Sequence, residues 1–500
     1  MAPATPALPT QTALRSDVVR GGLTLAAGLC LTLTALLLWD LLQVQVYRHD
    51  AMYYLQQQAF FDKLVAEGRW INYYLFPLLR QIPGGLAAVV SLLCWGLFAY
   101  LSARRWVQSS LLALCIASLA MQISPLMNQL QWPATILPAF LLLGLAPLAA
   151  ARIPALLFFP VFGVLMFGSF SYIYYLLPLL YLRWLDSDDL AANMKRLCLQ
   201  LLPLWALGFV VGYLSSLLAV YLASGAFGME IESWRQPHYI ESPGDVAANV
   251  QRAFGYFTEH LSALFPDGLH VVAGAAAATL CLLGNRSPRY IALGTLALAI
   301  ICVHYVLTVP LGIIISFRTA SPMWLGWIAL LFFTPLRLRW QALGLLACLL
   351  LFTTSLYLQN RDTLRWYATV TTTFTGQLRA ASPKPPESYQ GAVFLSSDTA
   401  VAEAISAIES RYGLKPLPEM ESLARAARWV PAAREAGFRK VWLCETEEKR
   451  ARPLCTRILE GAPASPARCQ SGLYRVNGES KGFLLVEMNP PECLQNGIDP

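Results

Sequence analysis

The chain is short of charge. Only 13% of its 500 residues are Asp, Glu, Lys or Arg, against 56% hydrophobic, whereas soluble domains carry about 25% charged residues. That scarcity excludes a string of soluble domains and leaves a polytopic membrane protein, because a span needs about 20 mostly apolar residues to cross the hydrocarbon core. A basic stripe is also missing. The formal net charge is +7, but the Lys and Arg residues are scattered between hydrophobic segments, which reads as a topology signal and not as a nucleic-acid surface. The tail has no phosphate loop, and its cysteine spacing does not match a zinc ribbon. Asp40 is the one clear charged residue well inside an apolar run.

What is present is a series of eleven apolar runs, at 21–44, 84–103, 107–123, 133–151, 153–168, 169–184, 197–222, 268–285, 290–311, 321–335 and 341–358. They predict an α-helical polytopic membrane protein of about 11 spans with a small C-terminal α/β domain outside the cytoplasm. Residues 1–20 form a cytoplasmic N-terminus, and 21–358 the transmembrane domain with outer loops 45–83 and 224–267. Residues 359–386 are a connecting helix and linker, and 387–500 the outer domain. The first run is too long for a cleaved signal and lacks a small-residue cleavage site, so it reads as a retained helix.

With the N-terminus inside, every inner connection carries a basic residue: Arg104 and Arg105, Arg152, Lys195 and Arg196, Arg286 and Arg289, Arg337 and Arg339. This is the positive-inside pattern. The same count places 47–83, 124–132, 224–267, 317–322 and the tail outside. Pro160 and Pro178 flank a polar hairpin tip, Gly168 to Tyr172, between two adjacent runs. In the long outer loop Asp245 is a candidate cap for a helix over 246–264, which reads as a lid or a surface amphipathic helix.

In the tail the pattern predicts strands at Ala392 to Leu395 and Lys440 to Leu443. Helices are expected at Thr399 to Arg411 and Ser422 to Ala436, and a hairpin over Leu473 to Glu487 turning at Asn477-Gly478. Seven cysteines lie in or beside apolar runs and read as core packing. Cys444, Cys455, Cys469 and Cys493 lie in the tail, where an even number suggests two disulfides in an oxidising compartment, with three connectivities open.

The stretch from Tyr47 to Trp70 stands out. It places Arg48, His49, Asp50, Asp62, Lys63, Glu67 and Arg69 between two apolar runs, and ionisable groups at a membrane boundary are costly unless paired or solvated. Arg48, Lys63, Arg69 and Arg80 also put positive charge on the outer side, against the topology bias, which suggests an anionic ligand there.

An acidic residue just outside the first span, aromatics, and then Gly68-Arg69-Trp70 resemble the GT-C class of membrane glycosyltransferases, and within it the bacterial serotype-converting O-antigen glucosyltransferases. In that family an acidic pair in the first outer loop is followed by a Gly-Arg pair. Here His49-Asp50 stands where the acidic pair is expected. Ser171-Tyr172-Ile173-Tyr174-Tyr175 is similar to the family's tyrosine-containing turn. The resemblance implies transfer of a hexose, glucose being the expected sugar, from a polyprenyl-phosphate donor to a lipid-linked surface glycan such as O-antigen. It implies the bacterial inner membrane, with the C-terminal domain periplasmic, and Trp70 and Tyr172 among the substrate-binding residues. His49 in place of the first acid counts against a metal bridged by two carboxylates. No metal ligand is assigned, no cofactor is required, and a divalent metal is left open.

The chemistry asks for little. A lipid phosphate is already a good leaving group, so one carboxylate to take the acceptor's proton suffices if cations stabilise the departing phosphate. Asp50 is the expected base, with His49 either orienting it, donating to the phosphate or simply exposed. Arg69, Arg80 and Arg318 are candidates for the phosphate, because a guanidinium offers a planar fork of donors. Such a site inverts the sugar carbon. Asp62 and Glu67 are weaker candidates for the base; each also reads as a partner of Lys63 or a solvated group. Trp234, Arg235, His238 and Tyr239 suit the acceptor sugar or an interfacial belt. Gln122, Asn128, Gln129 and Gln131 suit sugar hydroxyls or helix caps.

Two other readings use the same residues. An O-antigen polymerase or ligase would centre on the long loop near Arg235 and His238. A transporter or flippase of lipid-linked sugar would favour charge within the spans and repeated halves, of which the sequence has little.

Overall fold

The computed structural model describes residues 17–44, 57–107, 109–229, 231–284, 287–333, 339–417, 429–445 and 472–488. The chain divides into two units, Met1–Asp40 with Gln57–Asn360, and Leu41–Gln56 with Arg361–Pro500.

The first unit is helical. Its helices are α1 (Asp17–Gln43), α2 (Gln57–Glu67), α3 (Trp70–Leu79), α4 (Gly84–Arg104), α5 (Ser110–Met121), α6 (Ser124–Gln129), α7 (Pro133–Ala150) and α8 (Ala155–Phe167). A 3-10 segment follows at Ser171–Leu185, then α9 (Leu190–Arg196), a π turn and α10 (Leu202–Ser224). After these come α11 (Pro243–Ser262), α12 (Gly268–Gly284), α13 (Pro288–Thr308), α14 (Ser321–Phe332) and the start of α15 (Arg339–Ala381).

Six helical stretches among the described residues are long and apolar enough to cross a membrane: Asp17–Gln43, Gly84–Arg104, Pro133–Ala150, Leu190–Ser224, Pro288–Thr308 and Trp340–Ala381. The chain is a multi-pass membrane protein. Every one of the eleven apolar runs is helical, but five fall short of a regular span. They are helices of 12, 13, 17 and 12 residues and the 15-residue 3-10 segment. At 1.5 Å per residue a 12-residue helix reaches about 18 Å, well under the bilayer core. The 3-10 segment is not straight: it kinks at Tyr181, where the backbone leaves the helical range.

The tightest helix pair is α8 with α10. An added Cβ at Gly163 would lie 2.0 Å from the Gly208 carbonyl oxygen, and one at Gly212 would lie 2.6 Å from the Gly163 carbonyl oxygen. Gly208 and Gly212 are four apart on α10, the small-residue spacing that lets helix backbones meet where no hydrophobic force separates helix from lipid. Two of the basic connections are tied down by the helix ends around them. Arg105 donates to the carbonyls of Leu180 and Pro147, and Arg289 pairs with Asp186 at 2.7 Å and Asp188 at 3.2 Å.

The expected last span and the connecting helix are one helix. No Pro or Gly interrupts Leu358-Gln359-Asn360-Arg361, and α15 runs unbroken for 43 residues. The second unit adds β1 (Gly391–Ser396), α16 (Asp398–Tyr412), α17 (Val430–Ala436), β2 (Val441–Glu445), β3 (Tyr474–Ser480) and β4 (Phe483–Met488). Its sheet has the order β2-β1-β4-β3, with β1 parallel to both neighbours and β3 antiparallel to β4. Phe374 stacks on Trp429 at 4.7 Å, and the Trp366 indole donates to Glu409 at 2.8 Å. Of the expected helix Ser422 to Ala436 only the end is seen, since residues 421–428 lie outside the described residues.

The hairpin turns at Lys481-Gly482, not at Asn477-Gly478. Lys481 and Gly482 have φ of 50° and 80°, the left-handed pair that a two-residue turn needs, and the pairing instead shifts register between Val476 and Gly478. Cys444 is disulfide-bonded. The other three tail cysteines lie outside the described residues.

Two outcomes follow. Gly208→Val removes the monodisperse peak of detergent-solubilised protein in gel filtration, whereas Gly21→Val, whose Cβ meets nothing within 4 Å, leaves it. In the second unit, burial pushes the Glu435 carboxyl up to about 7 from 4.5 despite Arg379 nearby. The folded unit therefore holds a proton that the unfolded chain loses above pH 4.5. Its stability falls as pH rises from about 4.5 to about 7, and Glu435→Gln flattens that dependence in hydrogen exchange of the β1 and β4 amides, corrected for intrinsic rates.

Candidate functional site

Two short helices form most of the described part of the segment 45–83. α2 ends at Glu67, and Gly68 closes it with φ +70°, its N–H donating to the Leu64 carbonyl at 2.8 Å. This is the left-handed cap that glycine adopts at no steric cost. A Cβ there would lie 2.6 Å from that of Ser216 on α10. The reversal sets Glu67 and Arg69 side by side and starts α3 at Trp70.

Glu67 is the electrostatic centre. Its carboxylate pairs with Lys63 at 2.9 Å, with Arg69, and with Arg235 at 3.5 Å. Burial by itself raises its pKa, but Arg69, Lys63 and Arg235 outweigh that and hold the group below the ordinary carboxylate range. Lys63 also pairs with Glu232 at 2.6 Å, and Glu232 accepts the Trp234 indole N–H at 2.5 Å. The long outer loop is thereby joined to α2.

Arg235 is aimed by its backbone. Its carbonyl accepts from Ile314 N–H at 2.9 Å, and His238 N–H donates to the Leu311 carbonyl at 2.9 Å. The segment 311–314 leads into the 3-10 turn Phe317–Ala320 that carries Arg318. Gln129 donates to the Arg318 carbonyl and to Ser321 Oγ, and His304 Nε2 lies 2.9 Å from Thr319 Oγ1. Thr319 Oγ1 itself donates to the Ser316 carbonyl, which leaves it to accept from an Nε2–H tautomer of His304.

The Arg318 guanidinium sits over Trp132, 4.3 Å from the ring centroid, with Trp234 on its other side at 6.0 Å. Burial lowers its pKa from the usual guanidinium range. Among the described residues, no carboxylate pairs with it and no acceptor takes its N–H groups. Beside it Tyr172, 6% exposed, has a buried hydroxyl with no hydrogen-bond partner. Its ring packs against Phe170 at 4.3 Å, and Arg69 stacks on the other aromatic of that turn, Phe170, at 4.6 Å. A desolvated cation without a counter-ion, next to an unsatisfied hydroxyl, is a place prepared for an anion.

Of the expected residues, the structure brings together Arg69, Arg235, Arg318 and Tyr172. Trp70 is adjacent but turned to packing: its indole lies against Gly168, where a Cβ would come within 2.5 Å of Nε1. Arg80 is elsewhere. It caps the far end of α3, exposed, over the Phe76 ring at 5.6 Å, because ten helical residues separate it from Arg69. His238 is a tether. Its ring meets Asn249 at 3.1 Å and its carbonyl accepts from the same side chain at 2.8 Å. The helix it leans on begins at Pro243, with Ser242 as the N-cap and Asp245 reaching back to the Ser242 N–H at 2.7 Å, so Asp245 completes a capping box instead of being the cap. His49 and Asp50 lie outside the described residues.

The sequence reading missed Trp132 and His304. Trp132 directly precedes an apolar run on the outer side, where an aromatic is expected. His304 is a titratable side chain inside an apolar run, a signal of the same kind as Asp40. Among the described residues no group of three or more His, Cys, Asp or Glu is placed to hold a metal ion.

Gly68→Ala is expected to misplace Arg69, because both the φ of +70° and the contact with Ser216 resist a side chain. The cost is about 2 kcal/mol or more, read as a loss of protection in hydrogen exchange over residues 60–75. Gly225→Ala, with φ +73° but nothing within 4 Å of its Cβ, costs only about 1 kcal/mol. No protein-family model, no curated protein and no solved structure matches this chain.

Proposed function

We propose that the chain is an inverting membrane glycosyltransferase of the GT-C kind, which moves a hexose from a polyprenyl-phosphate sugar to a lipid-linked surface glycan. The observation that carries the reading is the unneutralised Arg318 beside the unpartnered Tyr172 hydroxyl, within reach of Arg69 and Arg235. Planar guanidiniums suit phosphate oxygens, and indole faces at Trp132 and Trp234 suit the face of a sugar. The acceptor hydroxyl attacks the anomeric carbon, the bond from that carbon to the phosphate oxygen breaks with its electron pair going to the phosphate, and a carboxylate takes the hydroxyl proton. Asp50 is the residue we assign to that proton, with His49 beside it. Glu67 is ill suited, since a carboxylate held among three cations is a weak base. No cofactor is needed for these steps, and a divalent metal remains compatible with them.

The disulfide at Cys444 supports a C-terminal unit on the oxidising side of the membrane. With the basic inner connections it favours an N-terminus in the cytoplasm and a periplasmic tail, in a bacterial inner membrane. One observation favours a second reading, a polymerase or ligase acting on a lipid-linked pyrophosphate: Arg235, from the loop 224–267, joins the same carboxylate as Arg69.

The test is transfer of radiolabelled sugar from polyprenyl-phosphate donors in membranes with matched expression. Arg318→Ala and Asp50→Asn are each expected to cut transfer about 100-fold, the scale of losing a group that stabilises developing charge, while Arg80→Ala stays near wild type. Wild-type protein that ignores polyprenyl-phosphate sugars but joins pyrophosphate-linked glycans moves the ligase ahead.

A further inference from the structure

The cations of the site fall into two sets. Arg318 and the Tyr172 hydroxyl have no partner among the described residues, whereas Arg69 and Arg235 are already engaged by Glu67. While Glu67 keeps Arg69 and Arg235, a phosphate on Arg318 meets their charge already offset by a carboxylate and competes with it for the Nη2 groups. Glu67, however, has somewhere to leave its charge: Lys63, one helical turn back on α2, holds it at 2.9 Å and is itself anchored by Glu232 at 2.6 Å.

Resting on the reading of this site as one for a prenyl phosphate, we propose that Glu67 is an internal stand-in for the substrate's anion. The phosphate docks on Arg318 and Tyr172, then takes Arg69 and Arg235 from Glu67, which stays paired with Lys63. Three features support the exchange. The guanidiniums of Arg69 and Arg318 are stacked on the rings of Phe170 and Trp132, so they keep their direction when a carboxylate leaves. Arg235 is the loosest of the three pairs on Glu67, at 3.5 Å. Its main chain is fixed independently through Ile314, so releasing Glu67 does not release the loop.

The exchange makes Glu67 a determinant of affinity with an unusual sign. Removing an acid that merely positions the arginines weakens anion binding; removing a competitor strengthens it. The measurement is equilibrium binding of radiolabelled geranyl phosphate to purified full-length protein in detergent. Glu67→Gln is expected to bind about tenfold tighter than wild type, the scale of one charge-assisted contact no longer opposed. Glu241→Gln, an exposed acid of the same loop whose side chain pairs with none of these cations, is expected to stay within about twofold of wild type. Arg318→Ala loses binding in both the wild-type and Glu67→Gln backgrounds. Weaker or unchanged binding in a monodisperse Glu67→Gln protein overturns the proposal, as does an Arg318→Ala protein that binds like wild type. If geranyl phosphate follows the expected pattern while no donor supports sugar transfer, the exchange stands and the glycosyltransferase reading falls. Transfer without tighter binding by Glu67→Gln has the opposite meaning.

Discussion

A carboxylate taken out of water must be paired, and in the first unit Glu67 imposes that condition on everything near it. Leaving it alone in the protein would cost several kcal/mol, so Lys63, Arg69 and Arg235 gather on its two oxygens. Each partner then constrains a different piece of chain. Arg69 requires the left-handed turn at Gly68, and that turn in turn requires the bare Cα that Ser216 allows. Lys63 brings Glu232, and Arg235 brings the strand-like pairing of its own carbonyl with Ile314. That pairing sits a few residues before the turn of Arg318. The position of the unneutralised cation thus follows, through main-chain steps, from the position of the neutralised ones.

Much of this convergence was legible in the sequence, for a reason that concerns topology more than motif. Counting basic residues across apolar runs put 47–83, 124–132, 224–267 and 317–322 on one side, and Arg69, Trp132, Arg235 and Arg318 come one from each. What the count does not carry is direction along an element. Arg80 shares an outer segment with Arg69, yet α3 is a helix, and its length carries the two arginines to opposite ends. His238 shares a loop with Arg235, but Asn249 occupies it from both ring and carbonyl.

The same limit explains the spans and the hairpin. Hydropathy finds where apolar residues are, and all eleven runs are helical; it does not measure how far each helix travels. Ser110–Met121 and Ser321–Phe332 pack deep in the first unit with only 12 residues each, because neighbours rather than lipid cover their sides. In the second unit, Asn477-Gly478 and Lys481-Gly482 are both credible turn pairs. The choice between them is made across the sheet: turning at Lys481-Gly482 brings Val476 opposite Val486 and Phe483 opposite Ser480, and β4 then lies parallel to β1 with Leu484 and Leu485 buried.

The proposed transfer rests on where positive charge is left uncancelled. When the bond between sugar and phosphate breaks, negative charge grows on the phosphate, and only a group more favourable to that state than to the starting one accelerates the step. Arg318 meets this demand better than Arg69 or Arg235, because no carboxylate in the described residues already uses it and because two indole rings hold it with little freedom to reorganise. The same arrangement sets the side on which the proton must leave. Glu67 stands with the arginines, which the proposed reaction gives to the phosphate, while in that reaction the attacking hydroxyl approaches the anomeric carbon from the opposite face. The proposed reaction therefore assigns the proton to another acid, Asp50, seventeen positions ahead of Glu67 in the chain.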